Sequence, residues 1–395
     1  MNDVHKFKAN NRGISVLLMN EVEVLGLQST NDTFTKPKRD DLAVIMYTSG
    51  STGNPKGVMM SHGNILTCTS TIIKRVNIRP NKDIYIAYLP LAHVLELVCE
   101  LSALFFGVRI GYSSAQTMAD NSTAIKKGQK GDLRVLKPTF MASVPVILER
   151  LVKAVNEKMS TTSWFKQELF KAAYSYKLSA FRAGRKSYIL DRLIFKRINR
   201  AVLGGKVKYM ISGASLLSTE VQEFIQVCLS GVRQAYALTE TCAGGTIQHP
   251  FETDTGIVGS PIPCCEIRLV DWDEGGYRNS DKPNPRGEIH IGGDTVAIGY
   301  YKLPDMTSES FYSRNGVRYF ATGDIGEMLP NGTFKIIDRK KDLVKLAGGE
   351  YVSLNKVETC LKLLPLVENC CVYSKAYEPY TIVLVCGVPK KIFVI

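Results

Sequence analysis

The first forty residues show no regular alternation of apolar and polar positions. They read as an irregular N-terminal segment, 1–40. From Leu42 the pattern becomes periodic. LAVIMYT is a short apolar run with β-branched residues and predicts a buried strand. A loop rich in Gly, Ser and Thr follows, then a helix predicted near 61–75. The order then repeats. IYIAYL, PTFMASV, KVKYMISG and VRQAYAL read as strands, separated by the helical patterns AHVLELVCELSALFF, PVILERLVKAVNEKM and STEVQEFIQVCLS. Strands alternating with helices predict an α/β fold with parallel sheet covered by helices.

Near Thr255 the character changes. CCEIRLVD, GEIHIGG and GTFKIIDRK are strands separated by Gly, Pro and Asn turns, which predicts a β-rich subdomain. A helix in SLNKVETCLKLL and strands in VENCCVYSK and YTIVLVCGV then predict a small α+β piece. The expected organisation is an α/β core over 41–254, a β-rich subdomain over 255–337 and a partial α+β domain over 343–395. With 395 residues, two or three domains fit a prior of about 150 residues each.

Composition narrows this picture only modestly. Hydrophobic residues at 45% and charged residues at 22% exclude collagen-like, disordered and coiled-coil classes. The net charge of +13 favours anionic partners: nucleotides, nucleic acid or an acidic membrane surface. No pattern of the common nucleic-acid-binding modules supports a nucleic-acid partner. The ten cysteines show no C-x-x-C pair and no zinc-type Cys/His spacing, so free thiols in a reducing compartment are expected. The opening residues lack the apolar core of a signal peptide. The greasiest window, 94–112, carries Glu96, Glu100 and Arg109, too many charges for a membrane span of about 20 residues.

The strongest chemical signal is Tyr47-Thr48-Ser49-Gly50-Ser51-Thr52-Gly53-Asn54-Pro55-Lys56-Gly57. Its glycines allow sharp turns and close approach to a ligand. Its hydroxyls and exposed N–H groups suit phosphate oxygens, and Lys56 adds a mobile positive charge. The spacing does not match a Walker A motif.

YTSGSTGNPKG resembles the signature loop of the acyl-adenylate-forming superfamily. YLPLAHVLELVCEL, EGGYRNSDKPNPRGEIHIGG, RYFATGDIGE and IIDRKKDLVKLAGGEYVSLNKVE narrow the resemblance to long-chain fatty acyl-CoA synthetases, most like the arachidonate-preferring mammalian-type branch. The resemblance runs from about Asp41 to about Val388. It implies an acyl-adenylate-forming fold and an ATP-dependent long-chain fatty acid–CoA ligase. ATP, Mg²⁺ and coenzyme A are the implied cofactors. The implied partners are a long-chain fatty acid and a cytosolic membrane surface, at the endoplasmic reticulum or the mitochondrial outer membrane.

The resemblance also assigns residues. Thr48, Ser49, Gly50, Ser51, Thr52, Gly53 and Lys56 would hold phosphates. Glu240, with Ser51, would hold Mg²⁺, and Thr239 would meet the α-phosphate. Gly213, Ala214 and Ser215 match the adenine-contacting turn, and Tyr236 would stack on the base. Asp324 would accept the ribose hydroxyls, Arg339 would contact ribose or phosphate, and 338–342 would be a hinge. His93 would orient the carboxylate. Ala235 and Ala237 stand where the family usually has Gly, which is tolerable unless either needs a positive φ. No residue after Asp342 matches the family's P-K-T-x-x-G-K lysine, so a truncated, catalytically incomplete ATP- or fatty-acid-binding relative is the alternative expectation.

Overall fold

The computed structural model describes residues 16–30, 33–48, 54–72, 75–120, 122, 124–250, 252–349, 351–362, 364 and 366–387. These fall into two compact units, one ending at Lys38 and the other beginning at Arg39. The first unit contains a ten-residue helix, Met19–Gln28, where the polar pattern predicts irregular chain. Glu21 reaches back to accept from the Leu18 N–H at 2.6 Å, a local cap that apolar periodicity does not register. No side chain of this helix is buried.

In the second unit, β1 (Leu42–Thr48) pairs antiparallel with β2 (Lys56–Ser61), Thr48 facing Lys56. The glycine-rich segment therefore closes a hairpin. The helix His62–Ile72 follows β2 rather than the loop. KGVMMS carries only a three-residue apolar run, too short to stand out as a strand. β1 lies at the edge of its three-stranded sheet, so Met46 alone is fully buried and the strand is half-covered, not buried as predicted.

The larger sheet comprises β3 (Ile84–Ala87), β4 (Arg109–Tyr112), β5 (Phe140–Ser143), β6 (Tyr209–Ser212), β7 (Gly231–Ala237), β8 (Gly245–Ile247) and β9 (Ser260–Pro261). Their order is β4-β3-β5-β6-β7-β8-β9, with β3 to β7 parallel and β8 and β9 antiparallel. The pleat sends alternate side chains to opposite faces and so builds two cores. Tyr85, Phe140, Ala142, Tyr209 and Ile211 pack with Cys68, Val94, Val98 and Cys99 from the helices His62–Ile72 and Val94–Phe105. Ile86, Met141 and Met210 face the other way, against Leu148, Phe170 and Ile225 from the helices Pro145–Ser160, Trp164–Arg182 and Thr219–Cys228.

The predicted β-rich region is an antiparallel sheet of β10 (Glu266–Val270), β11 (Arg286–Gly292), β13 (Phe311–Arg314), β14 (Val317–Met328) and β15 (Phe334–Arg339). Val258, Ile289, Ile291, Phe334 and Ile336 form its core. β12 (Gly299–Tyr300) returns to pair with β2 and ties this region to the hairpin. Beyond Arg339, β16 (Leu343–Lys345) pairs with β17 (Tyr351–Ser353). The helix Leu354–Lys362 follows, and β18 (Val367–Tyr373) pairs with β19 (Ile382–Gly387), the α+β arrangement the pattern predicts. Among the described residues no helix is long and apolar enough to cross a membrane.

Candidate active site

A cavity of about 790 Å³ opens where the ends of β6 and β7, the β1–β2 hairpin and the middle of β14 converge. The hairpin register fixes its first wall, because Thr48 ends β1, Lys56 starts β2, and the two are direct partners. Lys56 Nζ lies 5.1 Å from the centroid of the Tyr300 ring. The Tyr300 hydroxyl donates to Glu240 Oε1 at 2.9 Å. Burial, and then the Glu240 charge, push the Tyr300 hydroxyl far above its ordinary range, so it remains a donor. A cation, an aromatic face and a carboxylate thus share one wall. Glu240 stands on the short turn Thr239–Thr241 just after β7, where its carbonyl accepts from the Ala297 N–H at 2.9 Å.

His93 caps the helix Val94–Phe105, its Nδ1 accepting from the Leu95 N–H at 3.2 Å. Burial lowers its pKa and favours the neutral ring. With Nδ1 accepting, the hydrogen sits on Nε2, which makes that nitrogen a donor.

Across the cavity, Asp324 is almost fully buried on β14. Its Oδ2 accepts from the Tyr236 hydroxyl at 2.7 Å, and its Oδ1 lies 3.3 Å from Arg339 Nε. Asp324 and Arg339 are register partners on β14 and β15. Burial raises the Asp324 pKa, while Tyr236 and Arg339 pull against it. Gly323 takes φ +72°, and its N–H donates to Glu288 Oε1 at 2.9 Å. Glu288 also accepts from Lys340. Burial pushes the Glu288 carboxyl up, but His290, with Nε2 3.4 Å away, and the bonded Lys340 outweigh it and hold it at about 2. One carboxylate therefore anchors both the turn before Asp324 and the residue after Arg339.

The model of the AMP-binding enzyme family matches residues 5–301. The chain belongs to the AMP-binding enzyme family.

This AMP-binding enzyme is 45% identical over 392 residues to long chain acyl-CoA synthetase 8 of Arabidopsis thaliana, covering 97% of this chain and 54% of that protein. It is 39% identical over 341 residues to long-chain-fatty-acid–CoA ligase 1 of Schizosaccharomyces pombe, covering 86% and 49%. The chain thus spans about half the length of the curated relatives it matches. Among solved structures, the A domain of carboxylic acid reductase from Segniliparus rugosus, in complex with AMP and a co-purified carboxylic acid, superposes with a TM-score of 0.64 at 26% identity. That match covers 89% of this chain and 50% of that one. O-succinylbenzoate coenzyme A synthetase from Bacillus subtilis shares the fold, with a TM-score of 0.65 at 20% identity, covering 93% and 64%.

Of the residues singled out from sequence, Thr48, Lys56, His93, Gly213, Ala214, Thr239, Glu240, Asp324 and Arg339 of this AMP-binding enzyme all line the one cavity. Ser49, Gly50, Ser51, Thr52 and Gly53 lie outside the described residues. Two of the expected residues stand outside this lining. Ser215 is exposed and outside the lining. Tyr236 is not among the lining residues. On β7 the pleat turns Ala235 and Ala237 toward the cavity, while the Tyr236 ring packs on the Val258–Ile289 core. Only its hydroxyl reaches the site, through Asp324. Neither Ala235 nor Ala237 has a positive φ, so alanine is unstrained at both; Ala214 does, at +73°.

Tyr300 and Glu288 carry no role in the sequence analysis, and the cavity-lining Lys340 enters it only as part of the 338–342 hinge. The signal for Glu288 is present in GEIHIGG: it alternates with Ile289 and Ile291, which face the small core. What it pairs with depends on strand order.

Proposed function

We propose that this AMP-binding enzyme is an ATP-dependent long-chain fatty acid–CoA ligase. The observation that carries the reading is the shared cavity, which Lys56, Glu240, His93 and Asp324 all line. Asp324 would hold the ribose, with Arg339 beside it. Lys56 and the hydroxyls of the β1–β2 loop would hold the triphosphate. The fatty acid carboxylate attacks the α-phosphorus; an O–P bond forms, the bond to pyrophosphate breaks, and the acyl-adenylate results. The His93 Nε2–H is a suitable donor for orienting the attacking carboxylate or the α-phosphate. The coenzyme A thiol then attacks the acyl carbon, and AMP leaves with the C–O bond's electron pair. Gly213 and Ala214 would border the adenine. Ile72, Val94, Leu95, Ile247 and Ile262 supply apolar lining suited to the start of an acyl chain.

Mg²⁺ fits the donor set. No group of three or more metal-ligating side chains occurs among the described residues. Magnesium in phosphate sites needs only one or two carboxylates besides phosphates and water, and Glu240 supplies one to the cavity. Bound there, the ion would neutralise charge developing on the phosphates. We further infer that 338–342 is a hinge for the residues that follow it.

A membrane surface belongs to the same reading. Between Trp164 and Lys206 the chain carries eleven Lys and Arg against two Asp and Glu. Trp164, Phe165, Tyr188 and Ile189 are each more than two-thirds exposed. Basic side chains with exposed aromatics suit an anionic lipid surface, with the cytosol-facing endoplasmic reticulum and mitochondrial outer membrane as the proposed locations.

Pyrophosphate release with oleate, ATP and Mg²⁺, followed by acyl-CoA formation, tests the ligase reading. ATP binding without pyrophosphate release would favour a catalytically incomplete binder instead. Co-sedimentation with vesicles tests the membrane partner: retention on phosphatidylserine-containing vesicles, reduced by salt and absent on pure phosphatidylcholine, is the result the reading requires.

A further inference from the structure

A second cavity, of about 720 Å³, shares no lining residue with the first. Its wall carries two adjacent half-buried thiols, Cys264 and Cys265, in the turn between β9 and β10. Neither is in a disulfide. The turn is fixed by the Cys265 N–H, which donates to the Ile262 carbonyl at 2.9 Å. It is packed closely: a Cβ on Gly293, which has φ +128°, would lie 2.3 Å from the Cys264 carbonyl oxygen. The two sulfurs are 4.0 Å apart, and Cys265 Sγ lies 3.2 Å from Thr295 Oγ1.

The surroundings separate the roles of the two thiols. The Cys265 thiol hydrogen-bonds to Cys264 and draws its pKa down to about 7; the Thr71 hydroxyl acts in the same direction, against burial and the Asp294 charge. The bond to Cys264, burial and the Cys264 charge push Cys265 far up. Arg39, paired with Asp294 at 2.7 Å, and Asp40, Arg318 and Glu266 are the other charged groups that line this cavity, and the buried thiols Cys68 and Cys242 lie within electrostatic reach. One proton thus stays on Cys265 while Cys264 supplies the thiolate, the reactive form of a cysteine.

We propose that Cys264 and Cys265 form a reactive vicinal dithiol, in which Cys264 attacks hydroperoxides entering this second cavity and Cys265 resolves the product. The Cys264 sulfur attacks a peroxide oxygen, an S–O bond forms and the O–O bond breaks. The hydroperoxide is reduced by two electrons to an alcohol or water, and Cys264 becomes a sulfenic acid. Cys265 then loses its proton and attacks the Cys264 sulfur. An S–S bond forms, the S–O bond breaks, and the proton leaves with hydroxide as water. Adjacent Cα atoms lie about 3.8 Å apart, closer than ordinary disulfides tolerate, so the product is strained and readily reduced by thiols. That suits a reversible modification and not a structural crosslink. The inference does not rest on the ligase reading and needs no turnover to test.

The whole chain serves as the sample, with the exposed Cys360, Cys371 and Cys386 as internal comparators. Iodoacetamide labelling is followed per cysteine by peptide mass spectrometry between pH 5.5 and 9. Cys264 labels at pH 7 at least about fivefold faster than each comparator, with half-maximal rate near pH 7. One equivalent of hydrogen peroxide then lowers the mass of the peptide holding both cysteines by about 2 Da, reversed by dithiothreitol. In Cys265→Ser, which keeps a hydrogen-bond donor beside Cys264, and more slowly in Cys265→Ala, which removes it, the mass loss disappears and dimedone captures Cys264. Half-maximal labelling at or above about pH 8.5, the range of an ordinary thiol, would overturn the proposal. So would equal dimedone capture in the unchanged chain and the variants.

Discussion

Tyr236 donates its hydroxyl to Asp324 Oδ2 at 2.7 Å, and this bond joins the strand that leads to Glu240 to the strand that carries the proposed ribose ligand. Burial, then the Asp324 charge, keeps the Tyr236 hydroxyl protonated far beyond neutral pH, so the donation is permanent. The two residues are 88 positions apart in sequence, and the bond orients the carboxylate that the proposed ribose contact uses.

From this bond comes a graded effect on ATP. Tyr236→Phe removes a donor to a buried carboxylate, an interaction worth about 1.5–3 kcal/mol, so ATP affinity should fall about tenfold or more. Asp324→Asn should weaken it further. Isothermal titration calorimetry reads both; parent-like affinity in Asp324→Asn would remove the ribose assignment.

Lys56 starts β2 and lies over the Tyr300 face. Lys56→Met keeps the apolar stem and removes the charge, and should weaken ATP about 10- to 100-fold while leaving AMP nearly unaffected. Equal losses for ATP and AMP would place Lys56 away from the outer phosphates.

Glu96 is fully buried, with one oxygen accepting from Tyr85 at 2.7 Å and the other lacking a partner among the described residues. Burial, opposed by Tyr85, pushes its pKa to about 7 from an ordinary 4.5. The folded value exceeds the unfolded one. Stability therefore falls as pH rises from about 4.5, with the full loss, on the order of 3 kcal/mol, reached above about 7. Glu96→Gln should be more stable than the parent in urea at pH 8, and that advantage should vanish toward pH 4. An advantage independent of pH would contradict the assignment.

Glu288 behaves oppositely. Its folded pKa of about 2 lies below the ordinary 4.5. Its stabilising contribution is complete above about pH 4.5 and is lost as pH falls through about 2. Glu288→Gln should lower stability at pH 7 by about 1–3 kcal/mol and flatten the acid limb of the unfolding curve. Lys340→Met should reproduce part of both effects, because the same pair is broken. If Glu288→Gln retains the parent's acid limb, another group controls it.

How much of this was legible in the chain depends on the range over which each feature is decided. The strands β3 and β5 to β7 and the helices Val94–Phe105, Pro145–Ser160 and Thr219–Cys228 follow from local periodicity, because each must present an apolar face to a core, whereas the helices Trp164–Arg182 and Lys196–Leu203 are not read from it. The resemblance carried by YTSGSTGNPKG and ATGDIGE named Lys56 and Asp324, and the cavity contains both. Short-range competition hid other features. β2 has too few apolar residues to announce a strand, so the hairpin appears only in the β1–β2 pairing.

The sequence by itself determined the alternation of elements, the chemistry available in each motif and the family to which they belong, since these depend on residue type and near-neighbour spacing. Tertiary structure alone decided that the Tyr236 ring packs on the small core while its hydroxyl bonds Asp324, that Glu288 holds Gly323 and Lys340 together, and that Tyr300 caps Glu240. The physical reason is that hydrogen bonding and burial act between atoms brought close by sheet order and pleat. Partners as distant as Glu288 and Lys340 are separated by 52 positions that impose no pattern linking them.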